Sequence, residues 1–282
     1  MSCTLCQDKS YSLRAEVGSV RYLECEVCHL VYQNPMPDAS SAGNLYQKKG
    51  YFVDPKKGTD YIGGEQWLRK TAKFFIRLIK KYWPGDFKEA KVLDFGCATG
   101  VFLDEIRKQG AIVQGIELSR WASAYAQSRF GLEILGQDIF ELDLPKNHFD
   151  LITMIHSVEH LPDPVRVVER LVESLKPGGL LVIATPDVSS MGERFFGSRW
   201  QYYVPHDHLA LFDKSSVTRL LKKVNLTLSG IEPYLWRRWG TLEALILFGI
   251  KWARAVVQGS SFPRGTPKDG LVVFSRKPGE MS

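Results

Sequence analysis

Five cysteines and six histidines are the residues of this 282-residue chain whose types and spacing could do chemistry. Cys3-x2-Cys6 and Cys25-x2-Cys28 are separated by 18 residues. In such an arrangement each pair bends around a metal and the hairpin between them brings the pairs together. Four thiolates fill a tetrahedron, so Cys3, Cys6, Cys25 and Cys28 are expected to hold a structural Zn2+ with no position left for substrate. A segment of about 30 residues needs such a staple, because it cannot build a core of its own. A second constellation begins where KVLDF runs into GCATG, giving Asp94-x-Gly96-x3-Gly100 at a strand-to-helix turn. Glycines there let the backbone approach a ligand, and the start of the helix offers unpaired N–H groups. Neither G-x-G-x-x-G nor G-x4-G-K-[ST] is present, and a carboxylate two places before the first glycine would repel a pyrophosphate. It suits an ammonium or sulfonium group instead. Glu117, at the end of the next apolar run, can accept both hydroxyls of a ribose. Asp138 and Ile139 offer a carboxylate for an adenine amine and an apolar side chain for its ring face. In this order the residues point to an adenosyl ligand without phosphates.

These side chains need a frame that brings them to one edge. Residues 91–185 alternate short β-rich runs with helical periodicity, the pattern of a parallel sheet covered by helices on both faces. Strands are expected at 91–95, 112–117, 133–136, 149–155 and 180–184, and helices near 100–109, 119–130 and 163–175. A helix at about 215–224 and strands near 226–233 and 271–276 follow. Upstream, the stretch from Tyr46 to Tyr61 reads as a loop or lid. From Glu65 onward, Trp67, Thr71, Phe74, Phe75, Leu78 and Tyr82 recur at helical spacing among basic side chains, until Pro84-Gly85 stops the helix. The reading divides the chain into a zinc ribbon (1–34), a lid with a basic amphipathic helix (35–89) and a core (90–282) with insertions at 186–214 and 235–268.

The runs VLDFGCATG, GIELS, GQDIF, FDLITMIHSVEHLPDP and LKPGGLLVIATP resemble the successive motifs of class I S-adenosylmethionine-dependent methyltransferases. The resemblance implies an α/β fold: a seven-stranded, mostly parallel, doubly wound methyltransferase sheet with its last strand antiparallel. It also implies that Asp94, Gly96 and Gly100 hold the methionyl part of S-adenosylmethionine and Glu117 the ribose, that Asp138 and Ile139 frame the adenine, and that His156 lines the methionine side. The ribbon followed by this core is similar to small-molecule methyltransferases, including those that C-methylate nucleotide-linked deoxysugars, and VEHLPDP is similar to ubiquinone-pathway enzymes. In the sugar enzymes a Glu-His pair is associated with removing the acceptor proton. That pair falls here on Glu159 and His160, with Ser157 where the sugar enzymes tend to carry a tyrosine.

Five of the six histidines lie between residues 148 and 208, so the working edge is expected to be histidine-lined. His160 has the ordinary pKa of a base near neutrality, or caps a helix. His206 and His208, in VPHDHLALF, are each a base, a substrate ligand or structural. From Thr241 to Gln258 a helix would be apolar over most of its surface, which suits burial, a homodimer interface or, with Arg237, Arg238 and Trp239, peripheral contact of 237–258 with a membrane. A net charge of +6 excludes a disordered polyanion or a histone-like polycation. Its distribution is +4 over 1–90, −4 over 91–185 and +6 over 186–282. No run approaches 18 uninterrupted apolar residues and no signal-peptide core opens the chain, so a cytoplasmic protein, peripheral at most to the inner membrane surface, is expected. The leading expectation is methyl transfer to carbon or oxygen of a small, anionic or lipid-linked acceptor. The alternatives are an RNA methyltransferase, in which the basic flanks grip phosphates, and a non-catalytic binding protein on the same fold.

Overall fold

The computed structural model describes residues 2–53, 60–234 and 269–279. The apolar stretch 241–258, and with it the buried, dimeric or membrane-facing helix expected there, lies outside the described residues. The N-terminal segment forms β1 (Tyr11–Val17), β2 (Val20–Cys25) and β3 (Val31–Asn34), followed by α1 (Ala39–Tyr46), α2 (Gly50–Val53) and the long α3 (Glu65–Tyr82). The Tyr46–Tyr61 stretch, read from sequence as a loop or lid, begins at the end of α1 and contains α2.

Next come β4 (Lys91–Phe95), α4 (Val101–Arg107), β5 (Ile112–Ile116), α5 (Arg120–Phe130), β6 (Glu133–Leu135) and β7 (Phe149–Ile155). The chain continues through α6 (Pro164–Ser174), β8 (Leu175–Pro186), α7 (Met191–Phe196), β9 (Ala210–Leu211), α8 (Lys214–Lys223), β10 (Thr227–Tyr234) and β11 (Gly270–Arg276). Seven strands form one sheet in the order β10-β11-β8-β7-β4-β5-β6. β4 pairs in parallel with β5 and β7, β5 with β6, and β7 with β8, whereas β11 runs antiparallel to both β8 and β10. The order reverses at β4, where one crossover leads toward β5 and a later one returns to β7. In open α/β sheets the crevice at such a switch point, outside the carboxyl ends of the strands, is where ligands bind.

Local sequence accounts for the helix boundaries that aim this edge. Ser119 accepts the Ala122 N–H to cap α5, and Gly131 closes that helix in the left-handed conformation. Asp163 caps α6, with Pro164 in its first turn. The basic face of α3 is tied down by acids: Arg69 pairs with Asp104 at 2.7 Å and with Glu105, Lys73 with Glu105 at 3.6 Å, and Lys81 with Glu232 at 3.3 Å. Its opposite face buries Phe75, Ile76 and Ile79 against the sheet.

The ribbon is continuous with the rest. β9 pairs with β3 and completes a four-stranded sheet, β1-β2-β3-β9. Cys3, Leu5, Leu23, Cys25, Cys28 and Tyr32 share one apolar cluster with Leu93 and Ile116 of the central sheet and with Ile139 in the turn after β6. Arg14 of β1 reaches Glu193 of α7 at 2.6 Å. Among the described residues no helix is long and apolar enough to cross a membrane.

Candidate functional site

Asp94, two residues before the β4 turn, is 3% exposed and accepts the Thr153 hydroxyl at 2.6 Å. Burial pushes its pKa up to about 7; the Thr153 bond opposes the rise and nearby Glu117 adds to it. Gly96 follows at φ +74°, and a Cβ there would lie 2.4 Å from Ser157 Oγ, which is itself fixed by donating to the Phe95 carbonyl at 2.8 Å. Glycine at 96 is therefore required twice, by backbone and by space. Gly100, at φ +77°, starts α4, and a Cβ there would meet Leu132 at 2.6 Å and Ala126 at 2.9 Å, so its demand is packing against α5.

Glu117, just past β5, is buried at 7% exposure, and each carboxylate oxygen accepts one backbone N–H: Ala98 at 2.9 Å and Ser119 at 2.7 Å. Burial raises its pKa, with those two bonds opposing the rise. Each oxygen keeps lone-pair capacity for a further donor. Asp138 accepts the Phe140 N–H at 3.0 Å, a turn that buries Ile139 and leaves Phe140 exposed under the Arg166 guanidinium, 4.1 Å from its ring.

These residues line a cavity of about 290 Å³ at the carboxyl edge of the sheet, with Glu117, Asp138, Ile139, His156, Ser157 and His160 in its wall. A smaller hollow of about 100 Å³, which includes Asp94, Cys97, Thr99 and Phe102, shares Tyr61, Gly96, Ala98 and His156 with it. Gly43, Tyr46, Tyr51, Phe52 and Tyr61 form the roof. Phe52 stacks on Trp121 at 5.8 Å, and Gln47 donates to the Leu118 carbonyl at 2.7 Å.

At the far wall lies a buried polar cluster. Glu159 is fully buried; one of its oxygens pairs with His156 Nδ1 at 3.0 Å, and His156 Nε2 in turn lies 2.6 Å from the Tyr234 hydroxyl. Burial alone would raise the Glu159 pKa, yet the His156 bond and the neighbouring imidazoles hold it below the usual carboxylate value. His160 Nδ1 sits 2.9 Å from Asp207 Oδ1, and Asp207 also receives the hydroxyls of Tyr46 at 3.0 Å and Tyr51 at 3.3 Å. Burial disfavours the charged His160 ring, but Asp207 outweighs it and the pKa is pushed up to about 9. Asp207 thus favours the protonated ring over the free base that an ordinary histidine pKa gives near neutrality. His208 is buried, with Nδ1 2.8 Å from the Tyr202 carbonyl and its ring 4.9 Å from that of His160. Its pKa is lowered by burial and by His160.

Of the residues singled out from sequence, Asp94, Gly96, Glu117, Asp138, Ile139, His156 and His160 line these two hollows, and Glu159 and His208 stand directly behind His160. Gly100 and His206 line neither; His206 is exposed, and its backbone N–H donates to Gln33 at 2.6 Å. Sequence reasoning passed over Asp207, Tyr46 and Tyr51. The one signal for Asp207 was its position between the two histidines of PHDH.

The four N-terminal cysteines come together as well. Cys3 and Cys28 lie 3.4 Å apart at sulfur, as do Cys6 and Cys25, none of the four is in a disulfide, and their sulfurs gather closely enough to hold one metal ion.

Comparison with known proteins agrees with the geometry. The family model described as "Methyltransferase domain" matches residues 67–229. Ubiquinone biosynthesis O-methyltransferase of Coxiella burnetii is 35% identical over 103 residues, covering 35% of this chain and 44% of that protein. The chain thus spans less than half the length of this curated relative. Among solved structures, an S-adenosylmethionine-dependent methyltransferase from Mesorhizobium loti matches with a TM-score of 0.52 at 18% identity, covering 71% of this chain and 96% of that one. The [4+2]-cyclase SpnF matches with a TM-score of 0.60 at 20% identity, covering 86% and 98%.

Proposed function

The chain belongs to the methyltransferase domain family, and from that premise we propose that it transfers a methyl group from S-adenosylmethionine to carbon or oxygen of a small acceptor. The observation that carries this reading is Glu117. It is a buried carboxylate, locked in place by two backbone N–H groups, whose remaining lone pairs face the cavity beside a turn where only glycine fits.

S-Adenosylmethionine supplies an electrophilic methyl on a sulfonium sulfur. Glu117 would accept the ribose hydroxyls, Asp138 and Ile139 would frame the adenine, and Asp94 with the Gly96 turn would hold the methionyl end, where a positive ligand favours the ionised form of Asp94. Gly100 contributes by seating α4 against α5. His156 and His160 face the cavity from the opposite wall and would flank the acceptor. Roof tyrosines Tyr46 and Tyr51, bonded to Asp207, exclude water from that end and aim the reacting atoms. The acceptor proton would pass to the Glu159, His160 and His208 cluster. Its takeup by His160 requires that ring to be neutral when the acceptor arrives; Asp207 at Nδ1 then leaves Nε2 as the accepting atom.

The four thiols fit a structural Zn2+, since their sulfurs converge and leave no side for substrate. An anionic or lipid-linked acceptor is favoured by the positive balance of the flanking segments, +4 and +6, around a −4 core. Incubation of the purified chain with methyl-labelled S-adenosylmethionine and a small-molecule and lipid extract tests the reading. Label is expected in a low-molecular-weight product, and label appearing solely in RNA, or nowhere, would overturn it.

A further inference from the structure

The geometry points to a second metal site, distinct from the ribbon, in which Glu159, His160 and His208 bind one divalent transition-metal ion behind the acceptor wall of the cavity. The inference deepens the methyltransferase reading, on whose acceptor end it rests. One candidate donor atom from each of these residues lies within 4.8 Å of the others. A tetrahedral ion at about 2.1 Å from nitrogen and oxygen ligands wants them about 3.4 Å apart, a distance that small side-chain rotations reach from here.

Three further features single this cluster out from an ordinary buried histidine pair. First, Glu159 Oε2 is buried and lacks any hydrogen-bond partner among the described residues, although its companion oxygen is bonded to His156. A fully buried carboxylate oxygen left without a donor is costly, and a cation would satisfy it. Secondly, both imidazoles are anchored through Nδ1, His160 by the Asp207 carboxylate and His208 by the Tyr202 carbonyl. That leaves each Nε2 as the remaining ligand atom, so an ion bound here displaces the His160 ring proton and excludes His160 as the group that takes the acceptor proton. Metal-binding histidines usually donate their other ring nitrogen to a carboxylate or carbonyl in this way, which fixes tautomer and orientation. Thirdly, the anchors are themselves held: Asp207 by Tyr46 and Tyr51, His156 by Tyr234.

Two imidazoles and one carboxylate suit zinc, cobalt(II) or iron(II) rather than magnesium or calcium, which prefer oxygen alone. Three protein ligands are the number found in catalytic zinc sites, in contrast to the closed four-thiol set of the ribbon. His160 belongs both to the cluster and to the cavity wall, so an acceptor oxygen approaching that wall would come close to the ion.

The test is a cobalt(II) titration of the intact, zinc-loaded chain followed by visible absorption. One equivalent should give d–d bands without thiolate-to-metal charge transfer. His208→Ala and Glu159→Gln should each weaken that binding at least 100-fold, and Asp207→Asn, which keeps every ligand, should weaken it about 10- to 100-fold. No saturable signal in the wild type, a signal carrying thiolate charge transfer, or binding unchanged in the variants would each overturn the site. Calorimetry of S-adenosylhomocysteine with the same wild-type sample separates the two proposals. If the nucleoside binds and cobalt does not, the metal site alone fails; if cobalt binds and the nucleoside does not, the methyltransferase reading fails.

Discussion

Replacing Glu117 by glutamine removes a charge while nearly preserving shape, so its effect on ligand binding can be worked from the structure. In the resting protein the carboxylate accepts Ala98 N–H at 2.9 Å and Ser119 N–H at 2.7 Å, one on each oxygen. With ligand bound, each oxygen would accept one ribose hydroxyl as well. Hydrogen bonds to a charged group are worth about 1.5–3 kcal/mol each. Glutamine keeps one acceptor oxygen and turns the other into a donor, so one ligand bond is lost and the other becomes a neutral one. The expected loss is about 2–4 kcal/mol, or roughly 30- to 1,000-fold in the Kd for S-adenosylhomocysteine. The amide also faces one backbone N–H with a donor, which costs about 1–3 kcal/mol of stability, partly offset by removing a buried charge. Isothermal titration calorimetry reads the affinity and a thermal melt checks the fold. A Glu117→Gln protein that melts cooperatively and binds within threefold of wild type would refute the ribose assignment.

Three other perturbations bear on separate parts of the account. Gly96→Ala should destabilise by about 2–5 kcal/mol, combining roughly 1–2 kcal/mol for a left-handed alanine with roughly 1–3 kcal/mol for the contact at Ser157 Oγ, and Ser157→Gly in that background should recover the second part in a melt. Asp94 has a folded pKa near 7, above its unfolded value, so the stability it contributes is complete below about pH 4 and is lost as pH rises through 7. Asp94→Asn should therefore gain stability over wild type at pH 8 and little at pH 4.5. Affinity of the wild type for the cationic ligand should rise across pH 6–8, whereas that of Asp94→Asn should stay flat by calorimetry. Because the cysteine ribbon shares its apolar cluster with Leu93 and Ile116, removing zinc with a strong chelator should lower the melting temperature of the whole domain in one transition; an unchanged melt would contradict a structural metal.

The features legible in sequence were those encoded locally. Strand periodicity placed β4 through β8, β10 and β11 to within a few residues, except that β8 begins at Leu175, five residues before its expected start. Asp94, Glu117 and Asp138 were found because each follows or ends its own strand, and the cysteines because two short spacings repeat. What escaped was assembled across long separations. Asp207 meets Tyr46 and Tyr51, more than 150 residues away, and no local pattern announces that meeting. The charge state of His160 escaped for the same reason, since an ordinary imidazole pKa ignores a carboxylate brought in from another loop. The ribbon read as a separate unit because its cysteines cluster within 28 residues, whereas its fourth strand, β9, comes from residues 210–211. The basic face of α3, open from sequence to a phosphate-gripping role, is matched at Arg69, Lys73 and Lys81 by acids of α4 and β10.

The central claim, that this edge of the sheet binds an adenosyl donor, is met most directly by calorimetric titration of S-adenosylhomocysteine into the wild-type chain. The structure predicts saturable binding with one site per chain, competed by S-adenosylmethionine and weakened by Glu117→Gln. Absence of measurable heat or competition at millimolar ligand would contradict it.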